Sequence, residues 1–181
     1  MEDGNKWLVE NLRYPTFDGN GNPTSWAYQG TDGSAPYGLL YTQEAAINLC
    51  PLLGNGWRLP TGDEWHNLGA IYGEWMPGIK NPSAFQTLLD PMYGEGYGTS
   101  GFNAVLGGTR AIFPDAPPDY QSLGIKGFYW SGTTNDPTNV VYGKSYYFYS
   151  YPTWGDYWLT WAWIGAKEGQ SCRCVFTPNP E

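Results

Sequence analysis

In the segment Gly56-Trp57-Arg58-Leu59-Pro60-Thr61-Gly62-Asp63-Glu64-Trp65, a strand, a stop and a helix start follow one another within ten residues. The alternation of apolar and polar residues before Pro60 is typical of a short half-buried strand. Proline donates no backbone hydrogen bond, so the strand should end there. Thr61 and Glu64 have the spacing of a capping box. The segment therefore predicts a strand that leads directly into a helix over Gly62–Tyr72.

A second helix is predicted just upstream. Thr42 is a suitable N-cap, and Pro51 would stop a helix over Gln43–Cys50. Ser83–Leu89 is a possible third helix. Strands elsewhere are indicated by apolar residues between turn signals. We therefore expect a mixed α+β fold, with two helices, a small twisted antiparallel sheet and long loops.

Several strand boundaries can be assigned from the same signals. Lys6–Leu12 is predicted to be an opening strand, and Gly127–Thr134 a core strand. Gly101–Arg110 is predicted to be a strand that runs into a tight turn at its Gly-Gly pair. Asp115–Asp119, with two consecutive prolines, is predicted to be an exposed loop.

The composition narrows the class of protein. A chain of 181 residues is expected to form one domain over residues 1–181. Aromatic residues make up 18% and charged residues only 14%, which argues against disorder. The net charge of −8 argues against a nucleic-acid partner. No apolar run has the length of a membrane span, so direct membrane insertion is not expected.

Neither metal nor catalytic chemistry is indicated. Asp18–Asn22 begins like a calcium loop, but Pro23 stands where glycine is needed and Gln29 where a bidentate glutamate is needed. The single histidine, His66, makes a histidine metal site or a Ser-His-Asp triad implausible. We therefore expect no metal, no cofactor and no catalytic residue.

The C-terminal third is unusually aromatic. Eleven of the 22 residues from Tyr142 to Trp163 are Tyr, Trp or Phe. Two strands fit there, Lys144–Ser150 and Tyr157–Ile164, joined by a turn over Tyr151–Asp156. Both faces of such strands carry aromatic rings, and the sequence leaves open which face is core.

Exposed tyrosine and tryptophan dominate binding surfaces because they offer large contact areas at low entropic cost. The region of residues 142–170 is therefore a candidate binding surface for a protein or a glycan. The alternative is that these rings form a second core. The candidate ligand-binding residues are Tyr147, Tyr149, Tyr151, Trp154, Tyr157, Trp158, Trp161 and Trp163.

Several motifs occur in an order that resembles the Fibrobacter succinogenes major paralogous domain (FISUMP) family, over Trp7 to Val175. They are Trp7-Leu-Val-Glu-Asn-Leu12, Tyr37-Gly-Leu-Leu-Tyr-Thr42, Cys50-Pro51, Gly56-Trp-Arg-Leu-Pro-Thr61, Gly101-Phe-Asn-Ala104 with Gly107-Gly108, Tyr129-Trp-Ser131 and Arg173-Cys-Val175. The resemblance implies a C-type-lectin-like fold of the formylglycine-generating-enzyme type. It also implies a secreted or surface protein of bacteria or their phages.

The resemblance also bears on the three cysteines. In C-type-lectin-like domains a long disulfide joins the first helix to the last strand, which implies a Cys50–Cys174 bridge and a free Cys172. Related domains are the variable ligand binders of diversity-generating retroelements. If this chain is one of them, sister copies should differ at scattered sites within 142–170.

The leading expectation is thus a non-enzymatic binding domain on an extracellular, cell or virion surface, trimmed from a longer secreted protein. Its partner would be a protein or glycan on a cell surface, and the oligomeric state is open. One alternative is an adhesive domain of a surface fibre or phage tail. An oxidase or hydrolase on the same scaffold is disfavoured, because the sequence offers no nucleophile–base pair.

Overall fold

The fold is described from a computed structural model that covers residues 1–34, 36–73, 82–95, 97–151 and 156–177. Within these ranges it contains short helices and many strands. The α-helices are α1 (Gln43–Leu49), α2 (Gly62–Ile71) and α3 (Pro82–Leu88). Two short 3-10 turns span Cys50–Leu53 and Pro91–Tyr93.

Eleven strands make up most of the regular structure in the described residues. They are β1 (Lys6–Trp7), β2 (Ser25–Ala27), β3 (Leu39–Tyr41), β4 (Trp57–Arg58), β5 (Gly107–Phe113), β6 (Ala116–Leu123), β7 (Lys126–Thr134), β8 (Tyr142–Tyr151), β9 (Asp156–Gly165), β10 (Gln170–Ser171) and β11 (Val175–Phe176).

The strands form two sheets. β1, β11 and β4 form a small antiparallel sheet. The other eight strands form one mixed sheet, in which β7 runs parallel to β5 and β10 and antiparallel to β8. β8 continues into an antiparallel ribbon with β9. β7 therefore connects the two parts of the larger sheet.

The expected fold class, an α+β C-type-lectin-like domain with two helices beside a small antiparallel sheet, is wrong. Over the described ranges the structure is mostly β, its main sheet has eight strands and is mixed, and its three α-helices are short. The two predicted helices are present within a residue of their expected ends. The error concerns the strands, because short sequence patterns indicate neither their number nor their long-range pairing.

Two local predictions also fail, both next to β6. The Gly107-Gly108 pair begins β5 instead of ending a strand in a turn. Asp115–Asp119 was predicted to be a loop, but β6 begins at Ala116 and includes both prolines. β6 lies at the end of the sheet order and is exposed, and its prolines fall where the pairing with β5 shifts register. Proline is tolerated at such a position because no ladder hydrogen bond is needed from it.

The predicted start of α2 is confirmed in detail. The Thr61 hydroxyl accepts from the backbone N–H of Glu64, and the Glu64 carboxylate accepts from the backbone N–H of Thr61. The same carboxylate forms two hydrogen bonds with Arg58, at 2.6 and 2.7 Å. The cap therefore also joins α2 to the strand before it.

The described residues form two apolar core clusters. The larger one lies under α2 and α3 and includes Trp65, Phe85, Tyr129, Tyr146 and Phe148. The smaller one lies under α1 and includes Tyr41, Leu49, Trp130 and the three cysteines. Because Tyr129 and Trp130 are consecutive and strand side chains alternate, β7 supplies one ring to each cluster.

Arg173 lies inside the protein with 1% of its surface exposed. Its guanidinium donates to the Asn11 Oδ1 and to the carbonyl oxygens of Leu8, Phe102 and Asn103. Burial is the main cause of the lowered pKa of this group. The arginine thus joins the C-terminal segment to two distant parts of the chain.

Cys50 and Cys174 form a disulfide with a Cα–Cα distance of 5.6 Å, and Cys172 is a buried free thiol. This is the pairing that the family resemblance implied. The Cys172 Sγ lies 3.7 Å from the Cys50 Sγ. Burial raises the pKa of Cys172, which keeps it as a thiol and disfavours its attack on the neighbouring disulfide.

Glu64→Gln should lower the free energy of unfolding at pH 7 by about 1–3 kcal/mol, because it removes charge-assisted hydrogen bonds. Burial alone would raise the pKa of Glu64, but hydrogen bonds from Arg58 and Thr61 outweigh it and hold this pKa below its usual value. The carboxylate therefore stabilises the native state above about pH 4.3, and this contribution is lost as pH falls through the folded pKa. Denaturant melts at several pH values measure both effects.

The control for this prediction is Asp63→Asn, which removes the same charge from the same helical turn. It should cost less than Glu64→Gln at pH 7, since only the Glu64 carboxylate closes the capping box. Equal costs for the two variants would contradict the assignment.

The disulfide should be detectable by alkylation. N-ethylmaleimide present during unreduced denaturation should label Cys172 alone, and mass analysis of peptides would show it. Reduction should lower the free energy of unfolding by about 4–5 kcal/mol, because the bridge closes a loop over a separation of 124 residues. The variant Cys172→Ala should keep this dependence on reduction. Three labelled cysteines in the wild-type protein would disprove the bridge.

Candidate ligand-binding face

The aromatic C-terminal region forms a three-stranded surface made of β7, β8 and β9. Tyr129 on β7 lies opposite Tyr146 on β8, which lies opposite Trp161 on β9. In the next row, Phe128 lies opposite Tyr147, and Tyr147 opposite Thr160. Residues in one row share a face, and consecutive rows alternate between faces. The register therefore assigns each aromatic residue to one of two sides.

One side of this surface is core. Tyr146, Phe148 and Leu159 are at most 1% exposed and pack in the cluster under α2 and α3. Trp65 of α2 stacks on Tyr146, with ring centroids 5.8 Å apart. The Tyr146 hydroxyl donates to the Gly62 carbonyl oxygen at 2.6 Å. We call this side the helix face.

The opposite side carries four more rings and one lysine. We call this group the outer aromatic patch: Phe128, Tyr147, Tyr149, Trp158 and Lys126. Tyr147, Tyr149 and Trp158 are partly exposed, whereas Phe128 is 9% exposed and lies at the base. Lys126, Tyr149 and Trp158 form one cross-strand row, and Phe128 and Tyr147 belong to the next row on the same face. Trp130, two residues after Phe128, is instead buried in the cluster under α1. In the described residues, the cluster under α1 thus covers the Trp130 end of this face, and the Lys126 end is partly exposed.

Contacts within the patch hold most of its rings in place. The Tyr147 ring packs on Phe128 with centroids 5.0 Å apart, and burial raises the pKa of Tyr147. The Lys126 ammonium lies 4.3 Å from the centroid of Tyr149, a cation–π distance. In the part of the chain that the structure describes, Trp158 has neither a ring partner nor a cation above it. Trp158 is therefore the ring best placed to receive a ligand.

The eight predicted binding residues do not form one surface. Tyr147, Tyr149 and Trp158 lie together on the outer aromatic patch. Tyr157 and Trp161 lie on the helix face and pack against the larger core cluster.

Trp163 also belongs to the helix face by register, but it lies near the end of its strand and is 43% exposed. Tyr151 ends β8, and its side chain falls outside the description. Trp154 lies outside the described residues.

Two members of the patch were missed by the sequence analysis. Phe128 lies in the predicted core strand Gly127–Thr134, and Lys126 lies just before it. The usable signal was the alternation within β7: because Tyr129 is fully buried on the helix face, Phe128 must point to the other side.

Two further groups carry potential metal ligands, the carboxylate of Asp18 and the sulfur atoms of the three cysteines. The Asp18 carboxylate accepts from the backbone N–H groups of Asn20 and Asn22 and from the Asn22 side chain, which is the bonding of a local turn. These hydrogen bonds lower the pKa of Asp18. The sulfur atoms of Cys50, Cys172 and Cys174 lie within 4.8 Å of one another, as metal ligands would, but the disulfide uses two of them.

Tyr146→Ala and Tyr149→Ala should separate the two faces by stability. The first variant should lower the free energy of unfolding by about 3–5 kcal/mol, because it empties a core site. The second should cost less than about 1 kcal/mol, since its ring is partly exposed. The two residues lie on the same strand, so each is the control for the other in denaturant melts. Equal costs would contradict the assignment of faces.

Comparison with known proteins identifies the family to which this chain belongs. No curated protein and no solved structure matches the chain. The model of the Fibrobacter succinogenes major domain matches residues 3–175, which include the outer aromatic patch, the disulfide and Arg173. The chain therefore belongs to the Fibrobacter succinogenes major domain family.

Proposed function

We propose that this chain is a non-enzymatic binding module whose outer aromatic patch contacts a protein or a glycan. The observation that carries the proposal is Trp158, a partly exposed indole without a ring neighbour or cation among the described residues. It lies directly opposite Tyr149 in the strand register. Together the two side chains offer a broad apolar platform with polar edges.

The physical properties of the patch favour recognition. Its rings project from three hydrogen-bonded strands, so little conformational entropy is lost on binding. Tyr and Trp are the residues most enriched at binding hot spots. The hydroxyl group of Tyr147 and the ammonium of Lys126 can supply hydrogen bonds around the apolar centre. Such a surface suits a flat ligand face, either a sugar ring or an apolar protein surface.

The proposal includes an extracellular, cell-surface or virion-surface location. The Cys50–Cys174 disulfide supports it, because such bonds persist in oxidising environments. In the described residues, no helix is both long enough and apolar enough to cross a membrane.

Trp158→Ala should weaken ligand binding by roughly 30-fold or more, which corresponds to about 2 kcal/mol for a hot-spot ring. Trp163→Ala is the matched control, because it removes an exposed indole from the opposite face of the same strand. This control should change affinity by less than about threefold. The measurement is binding of the purified domain to a glycan array and to a displayed protein library, followed by titration of the hits.

Melting curves of both variants establish that each remains folded. Loss of binding in Trp163→Ala with retention in Trp158→Ala would place the site on the other face. Equal binding by both variants and the wild-type protein would reject the patch. Hits on the glycan array alone would identify a glycan ligand, and hits in the protein library alone would identify a protein ligand.

A further inference from the structure

A groove of about 680 Å³ lies at the far end of β7 from the outer aromatic patch. Thr134, the last residue of β7, lines the groove, whereas Lys126, the first, belongs to the patch. Eight strand steps of ~3.3 Å separate the two positions by roughly 26 Å. A ligand in this groove would therefore not touch the patch.

The floor of the groove is held by backbone hydrogen bonds on both sides. In the turn after β9, the carbonyl oxygen of Ala166 accepts a hydrogen bond from the backbone N–H of Gln43 in α1. The backbone N–H of Ala166 donates to the carbonyl oxygen of Val141. In β5, Arg110 directly follows the buried residues Gly107–Thr109 and exchanges both backbone hydrogen bonds with Gly169, at 2.8 and 2.9 Å. Three separate parts of the chain are thus joined at one turn, so the groove is formed before any ligand arrives.

The Arg110 side chain is held at the groove by stacking on the ring of Trp26. Its guanidinium lies 3.8 Å from the centroid of the Trp26 ring. Gly169 allows this approach, since a Cβ there would lie 2.9 Å from the Arg110 Cβ and 3.4 Å from the Trp26 Cε3. Stacking fixes the plane of the guanidinium and leaves its N–H edges available for a planar acceptor.

The charge of Arg110 has no carboxylate partner among the described residues, whose ion pairs are Arg13–Glu10 and Arg58–Glu64. Lys167 adds a second cation to the lining. Asp18 also lines the groove, but its oxygens accept from its own turn. The remaining carboxylate, Glu44, lies in the first turn of α1. An anionic group would therefore be attracted to the Arg110 side.

The apolar part of the groove is formed by three exposed aliphatic side chains. Ile47 of α1 is 38% exposed, Ile112 of β5 is 41% exposed, and Val140 before β8 is 46% exposed. They come from three different elements. Convergence of apolar side chains next to a few oriented polar groups is the usual composition of a small-molecule site.

We infer that this groove binds a small monocarboxylic acid with an apolar body. The carboxylate pairs with the edge of the Arg110 guanidinium in a two-hydrogen-bond geometry, and Lys167 adds to the attraction. The apolar body covers Ile47, Ile112 and Val140. This site is separate from the outer aromatic patch, and it does not depend on the function proposed for that patch.

The test uses hexanoate, hexanamide and acetate as probes of the unmodified protein. Hexanoate should bind with a Kd on the order of 1 mM, as expected for a ligand of this size, and shift the NMR signals of the Trp26 indole and the Arg110 side chain. Hexanamide keeps the body without the charge, and acetate keeps the charge without the body. Both should bind at least 10-fold more weakly. Equal binding of either probe and hexanoate would overturn the inference.

Variants assign the effect to the groove. Arg110→Gln should weaken hexanoate binding at least 10-fold, and Arg110→Lys should give an intermediate loss because a point charge replaces the planar fork. Lys126→Gln is the control, since it removes one positive charge from the patch and should leave hexanoate affinity unchanged. Unchanged affinity in Arg110→Gln would also overturn the inference. The probe comparison remains decisive if a variant fails to fold.

Discussion

The buried guanidinium of Arg173 is the constraint on which the arrangement of this chain depends. A charge inside a protein is tolerated only when its donors are satisfied. Here the acceptors come from Asn11 and the Leu8 carbonyl at one end of the chain and from Phe102 and Asn103 in its middle. These segments can serve as acceptors only if they are brought together. Loss of any one of them leaves part of a buried cation unsatisfied.

The disulfide and Arg173 act on the same short segment. Cys172 and Cys174 flank the arginine; Cys174 is bonded to Cys50 after α1, and both are buried in the smaller cluster. β10 and β11 lie on either side of this segment and belong to different sheets. The segment thus sets the position of the mixed sheet relative to the small antiparallel sheet. Because β10 pairs with β7, this segment also sets the position of the strands that form the candidate face.

The parts of the structure that the sequence predicted are those with local signals. The capping box at Thr61 and Glu64 acts over three residues, and the start of α2 was therefore predictable. The mixed sheet depends on the parallel pairing of β7 with β5 and β10, which no short pattern encodes. The aromatic strands were predictable from composition and alternation. Which face would be core was not, because this depends on where α2 and α3 pack.

The candidate sites differ in the same way. Tyr147, Tyr149 and Trp158 could be proposed from the sequence because they lie in one aromatic region. Trp26, Arg110 and Gly169 come from three distant segments and meet only through the sheet. Neither residue of the Trp26–Arg110 pair stands out alone, since single exposed tryptophans and arginines are common. Such a site becomes visible only when distances are known.

The alternation of faces in β8 and β9 has a consequence for how this surface can change over evolutionary time. Tyr146, Phe148 and Leu159 of the ribbon are held by the core. Near the start of β7, the intervening Tyr147, Tyr149 and Trp158 lie on the other face and belong to neither core cluster. Substitutions at the intervening positions near the β7 start alter what the surface presents while the packed rings keep the strands in register. In this short stretch, the residues that set what the surface presents thus alternate with the residues that stabilise the fold. The first set can therefore change while the second stays constant.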